Sequence, residues 1–331
     1  MPISDLLDNF AGFTVRDFDP KSGLQDTTNT IYRIRQDPES TPPPKQSKGI
    51  LGGIFGKNQP APSPSTTPWE ALLADPKCSE LKGIVYGYWF KDFDMEKTSE
   101  DVIVNLAMGA TALPNVQALF IGDITYEECE ISWLHQADVT PLFRAYPRLQ
   151  HLGVRGSDGL KIGPAKHSEL KSLIIQCGGL PAATLREVFQ SEFPALEHLE
   201  LWLGEENYGG DATVADLEPI LSGRLFPNLR YLGLRDSAMA DQVASAVANA
   251  PIVQRIETLD LSMGNLSNEG ADALLASPTL KRLKKLDLHH HFISPDRVAK
   301  LQQLGPQVDI SDIQEAHKYG EETYRYIEVG E

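Results

Sequence analysis

Two stretches hold the side chains best suited to chemistry. One is LDLHHHF, with His289, His290 and His291 in a row, and the other is GDITYEECEISWLHQAD, residues 122–138. Imidazoles and carboxylates together bind divalent ions or move protons. The second stretch offers Asp123, Glu127, Glu128, Cys129, Glu130, His135 and Asp138, yet it contains neither HExxH nor an EF-hand loop. A solvated loop anchored by Trp133 fits it better than a metal site. Consecutive residues of a strand point to opposite sides, so three adjacent histidines do not converge on one ion. No metal and no cofactor are expected. YGGDAT (208–213) reads as a glycine turn before a helix cap and not as a phosphate loop. No GxSxG occurs, and Cys78, Cys129 and Cys177 lie far apart without CxxC spacing. Inert thiols in a reducing, cytoplasmic setting are expected.

The elements that carry these residues repeat. LDLHHHF belongs to LKKLDL (283–288), and the same order of one apolar residue, two variable, one apolar, one variable and one apolar recurs. The other copies are LKGIVY, VQALFI, LQHLGV, LKSLII, LEHLEL, LRYLGL and IETLDL, starting at 81, 116, 149, 170, 196, 229 and 256. The intervals are too long for hairpins and leave room for a helix between parallel strands. Apolar residues at helical spacing over 213–225, 239–250 and 268–278 supply such helices. A strand and a helix cannot bury their apolar faces alone, but stacked copies make a continuous core.

This pattern resembles the leucine-rich repeat of the ribonuclease-inhibitor-like kind, as in IETLDLS followed by NEGADALL. The resemblance implies an α/β solenoid of about eight repeats, with a curved parallel sheet on the concave side and helices on the convex side. GFTVRDFDP, TIYRIRQD, LRYLGLRDS and LDLHHHFIS are further similar to an uncharacterised bacterial family of full-length leucine-rich-repeat proteins. That likeness implies the fold and brings no catalytic residues. In the family pattern the ninth position holds an inward asparagine. Here it holds Trp89, Ile124, Ser157, Gly178, Gly204, Ser237, Gly264 and His291. His291 reads as a structural substitute that donates one bond and accepts another.

The third, fifth, seventh and eighth residues of each copy point away from the core. In the early copies they are small or apolar. In the later ones they are His198, Glu200, Trp202, Tyr231, Arg235, Asp236, Asp260, Asp287 and His289. Aromatics and arginine beside carboxylates suit protein recognition. The chain therefore reads as a non-catalytic scaffold that binds another protein through its concave face. The alternative is a hydrolase with a site near loop 122–138 and His151.

The remaining segments frame the repeats. Residues 1–35 form a small N-terminal segment and 36–68 a Pro/Gly-rich linker with an apolar centre, GILGGIF; 69–308 are the repeat domain and 309–331 an acidic cap or tail. There are 46 acidic and 30 basic residues, a formal charge of −16, which repels nucleic-acid backbones. The opening residues do not fit a signal peptide, and no apolar run is long enough for a membrane span.

Overall fold

The computed structural model describes residues 3–36, 67–90, 96–320 and 322–330. GILGGIF and nearly all of the proline-rich stretch lie outside the described residues. Three strands precede the first copy: β1 (Asn9–Phe10), β2 (Phe13–Asp17) and β3 (Thr30–Ile34). The next eight begin at the third position of the eight copies. They are β4 (Gly83–Tyr86), β5 (Ala118–Ile121), β6 (His151–Arg155), β7 (Ser172–Gln176), β8 (His198–Gly204), β9 (Tyr231–Ser237), β10 (Thr258–Asp260) and β11 (Lys285–Asp287). One more, β12 (Gln307–Asp309), follows. All twelve form one sheet in sequence order, parallel except for the β1–β2 pair. The sheet thus extends beyond the eight expected strands at both ends.

Helices fill the intervals: α1 (Pro68–Ala74), α2 (Glu100–Gly109), α3 (Thr140–Ala145), α4 (Ala182–Phe189), α5 (Glu218–Leu221), α6 (Ala240–Val247), α7 (Asn268–Ala276) and α8 (Pro295–Leu301). Local sequence sets their ends. Thr67 and Glu70 close a capping box over α1, with Pro68 in its first turn, and the Ser267 hydroxyl caps α7. The helix expected over 213–225 is broken in two. Thr213 and Asp216 cap a 3-10 turn at Val214–Leu217, and α5 follows.

The core lies between the helices and one face of the sheet. Leu119, Leu152, Leu173, Leu199, Leu232, Leu259 and Leu286 stand in register strand after strand, all completely buried. Each such side chain contributes about 1.5–3 kcal/mol by leaving water. The missing asparagine ladder is replaced piecemeal. Ser157 Oγ donates to the Gly179 carbonyl at 2.7 Å. His291 is fully buried; its Nε2 lies 3.1 Å from the Ile310 carbonyl and its Nδ1 accepts from the Ile293 amide at 3.1 Å. That is the one-donor, one-acceptor role expected of it. After β12 the chain forms a hairpin, β13 (His317–Tyr319) with β14 (Glu322–Tyr324), and returns to the sheet. There the Glu328 amide donates to the Met263 carbonyl (2.8 Å) and the Val329 amide to Asp236 Oδ1 (2.9 Å). Among the described residues, no helix is long and apolar enough to cross a membrane.

Candidate functional site

The face of the sheet turned away from the helices is organised in rows. Parallel register aligns Val85, Phe120, Gly153, Ile174, Glu200, Gly233, Asp260 and Asp287, and β12 extends the row to Asp309. Two glycines in the row make room for neighbours. A Cβ on Gly153 would fall 2.2 Å from the Phe120 ring, and one on Gly233 would fall 3.1 Å from the Tyr231 ring.

The chain itself covers the early part of this face. Phe10, Val15, Ile31, Val85, Ala118 and Phe120 form a second apolar cluster, with Leu7, Phe13 and Ile174 packed against it. Phe10 meets Phe120 edge-on, with ring centroids 5.3 Å apart. Asp123 pins the covering segment. Fully buried, it accepts from the Leu7 amide (3.2 Å) and Arg33 Nε (2.6 Å), and Arg155 Nη1 stands 3.6 Å away. Burial lowers Arg155 to about 10 despite that carboxylate.

From Glu200 onward the same row is ionic. Glu200 Oε1 accepts from Trp202 Nε1 (2.8 Å) and Arg235 Nη1 (3.0 Å). The Tyr231 hydroxyl donates to Asp260 Oδ2 (2.6 Å), and Arg235 Nε donates to Ser262 Oγ (3.0 Å). His198 and Tyr231 stack with centroids 3.9 Å apart, and the Arg235 guanidinium lies over the Trp202 ring. Lys285 Nζ reaches Asp287 at 2.6 Å, while His289 Nδ1 is 2.7 Å from the other Asp287 oxygen. Burial pushes the Glu200 carboxyl up, but His198 (3.6 Å away), Arg235 and Trp202 outweigh it and hold it at about 2. Burial also opposes charge on Asp287, and the His289 and Lys285 contacts overcome it and lower its pKa. The bond to Asp287 raises His289. The resulting array is a set of fixed charges, suited to recognition of a charged partner.

The structure brings the nine sequence-predicted residues together on adjoining strands, but several do not project from the face as expected. Trp202 is only 5% exposed, and Glu200, Asp260 and Asp287 are buried to a similar degree. Parallel strands about 4.8 Å apart let large neighbours lie on one another. Asp236 is fully buried at φ 49°, beneath the returning residues 328–329. Burial drives its carboxyl well above the usual range. The exposed rim consists of His198, Tyr231, Arg235, Lys285 and His289, all part-exposed. Ile3, Ser4 and Asp5 on one side and Glu328 and Val329 on the other border a cavity of about 370 Å³ over Trp202, Arg235, Met263 and His289. Asp309 was not anticipated. GPQVDI (305–310) keeps the apolar fourth and sixth positions of the repeat, Val308 and Ile310, and that was the available signal.

The acidic loop is put together differently from expectation. Trp133 is 55% exposed and anchors nothing; Ile124, Cys129, Ile131 and Leu134 are the buried anchors. An outward tryptophan is tolerated here because the 3-10 turn at Ile131–Trp133 turns Ile131 inward instead. His135 bonds Asp158 through Nδ1, beside Ser132, Ser157 and Tyr208 in a cavity of about 550 Å³. His151 begins β6, with Arg155 about 13 Å further along the strand and Asp158 beyond it. The loop histidine and His151 are therefore not brought together. Burial pushes the Cys177 thiol up to about 12 and the Cys129 thiol to about 11, and all three cysteines are free.

The three histidines of LDLHHHF diverge. His291 enters the core, His290 sits at φ 57° near Asp312 and the Tyr326 carbonyl, and His289 stays on the open face. Two groups of metal-ligating atoms result among the described residues: Asp287, His289 and Asp309, and separately His290, Asp312 and Glu328.

No protein-family model matches the chain, and no curated protein does. Among solved structures, the chain is similar to an internalin from Listeria monocytogenes at 14% identity, covering 76% of this chain and 58% of that one, with a TM-score of 0.37. It is much more similar to a protein from Bacteroides fragilis solved as a structural-genomics target. That match has 33% identity and a TM-score of 0.73, and covers 80% of this chain and 73% of the other. With that identity over most of both chains, the protein belongs to the same family as the Bacteroides fragilis protein.

Proposed function

We propose that the chain is a non-catalytic scaffold, a leucine-rich-repeat solenoid of the ribonuclease-inhibitor-like kind, that binds another protein through the ionic half of its concave sheet face. The carrying observation is the row Glu200, Asp260, Asp287 and Asp309, aligned strand to strand beneath a part-exposed rim of His198, Tyr231, Arg235, Lys285 and His289, beside a half that the chain's own N-terminal segment covers. Side chains already held by hydrogen bonds lose little entropy on binding. Among the described residues, these four carboxylates pair with Arg235 and Lys285 as permanent cations, which favours a partner segment bearing lysine or arginine. His198, Tyr231 and Lys285 on the rim supply selectivity. Free thiols and the −16 charge agree with a cytoplasmic protein that avoids nucleic acid.

Native-lysate capture tests this with His198→Ala plus Lys285→Glu, part-exposed positions whose change leaves no core cavity. A specific partner held by the wild type is lost by the double variant and kept by Trp133→Ala on loop 122–138. The opposite pattern places the interface on that loop.

A second reading has one specific observation behind it. The His135–Asp158 pair, with Ser132 and Ser157 lining the same cavity, has the residue types of a hydrolase. Ester turnover abolished by His135→Ala, together with no partner capture, would favour it.

A further inference from the structure

We propose that Asp287, His289 and Asp309 form a binding site for one divalent ion of the zinc class, at the last strands of the open half. One atom from each, an imidazole nitrogen and two carboxylate oxygens, lies within 4.8 Å of the others. The fold supplies this grouping. Asp287 and Asp309 are register partners on β11 and β12, and His289 lies two residues beyond Asp287, on the same face. A bound ion holds such ligands at about 2.0–2.2 Å, so small side-chain rotations close the set. Asp287 is buried and fixed, whereas His289 and Asp309 are part-exposed, which leaves an approach from solvent.

Charge points the same way. Glu328 Oε2 stands 4.0 Å from His289 Nε2, adding a third carboxylate to the neighbourhood. Lys285 is the cation at the group, 2.6 Å from Asp287 and 4.0 Å from Asp309. Its side chain is 37% exposed and can swing aside. The two ligand carboxylates outnumber the one ammonium beside them, which favours uptake of a cation. The imidazole favours zinc and its neighbours in the transition series over magnesium or calcium, which prefer all-oxygen sites. Adjacent histidines still do not share an ion: His289 takes its co-ligands from the next strands, and His290 and His291 turn elsewhere. Three protein ligands leave a coordination position open. This site does not depend on the scaffold reading, since it is tested with no partner present.

The test is equilibrium dialysis and calorimetry of the tag-free full chain with zinc chloride. One zinc per chain is expected. His289→Ala and Asp309→Asn each weaken binding by at least about tenfold, while His198→Ala and His290→Ala leave it unchanged. Asp309→Asn sits on the part-exposed last strand, so it reports on binding even if His289→Ala disturbs folding. Circular dichroism checks both. Absence of saturable zinc uptake overturns the proposal. So does uptake indifferent to both ligand variants, loss in His290→Ala alone, or tighter binding of calcium than of zinc.

Discussion

Between Ile174 and Glu200 the row along the open face changes character, although the backbone on either side is the same parallel ladder. On one side stand Val85, Phe120 and Ile174, and on the other Glu200, Asp260, Asp287 and Asp309. The apolar side is closed by Leu7, Phe10 and Phe13 from the chain's own beginning. The ionic side is bordered by residues 3–5 and 328–329, which leave a cavity of about 370 Å³ over Trp202, Arg235, Met263 and His289. One scaffold therefore solves two problems with one repeated geometry. Where side chains are apolar, water is excluded by a strand-and-turn segment. Where they are charged, they satisfy one another, and His198, Arg235, Lys285, His289 and Asp309 stay part-exposed. A partner for the sealed half would have to displace covalently tethered chain, whereas one for the open half displaces water.

The largest expected effect breaks the seal. Asp123→Ala leaves Arg33 and Arg155 buried without their anion and releases the Leu7 amide. Loss of one partner from such a buried set costs about 3–5 kcal/mol, to be read from urea unfolding at neutral pH. A change below about 1 kcal/mol would mean the segment is held by apolar packing alone.

The next effect belongs to the ionic half and depends on pH. Glu200 is held at about 2, below its ordinary 4.5. A depressed folded-state value stabilises the fold above the unfolded value, and this contribution is lost as pH falls from about 5 towards 2. It is worth about 2–3 kcal/mol. Glu200→Gln should flatten that acid limb in unfolding midpoints measured between pH 6 and 3, whereas an unchanged limb would assign the acid sensitivity elsewhere.

How far these halves could be read from sequence differs by residue. The eight strand starts were legible because LxxLxL writes its buried positions directly into the chain. The change from small and apolar to charged positions was legible for the same reason. The burial of Trp202 and Asp236 was not. Trp202 is packed by its strand neighbours and Asp236 is covered by Val329, 93 residues away and outside any repeat. Asp123 likewise read as part of an acidic loop, because its partner Arg33 lies 90 residues earlier and no local pattern joins them. Trp133 misled through its type: size suggested an anchor, while the turn spends its inward position on Ile131.

The smallest effect separates stability from recognition. Lys285→Ala removes a part-exposed ammonium from Asp287 and should cost less than about 1 kcal/mol. Thermal unfolding should barely move. A large loss would make the ionic half a structural network first and an interface second.

The contrast between the halves is tested most directly by hydrogen–deuterium exchange of the intact chain, followed peptide by peptide. The amides of Leu7 and Val15, bonded to Asp123 and to the Asp8 carbonyl, should be protected nearly as long as those of β5 and β6, because the covering segment is part of the fold. Exchange of residues 5–17 within seconds, with β5 and β6 still protected, would contradict the account: the apolar half would then be open, and it, not the ionic row, would be the surface awaiting a partner.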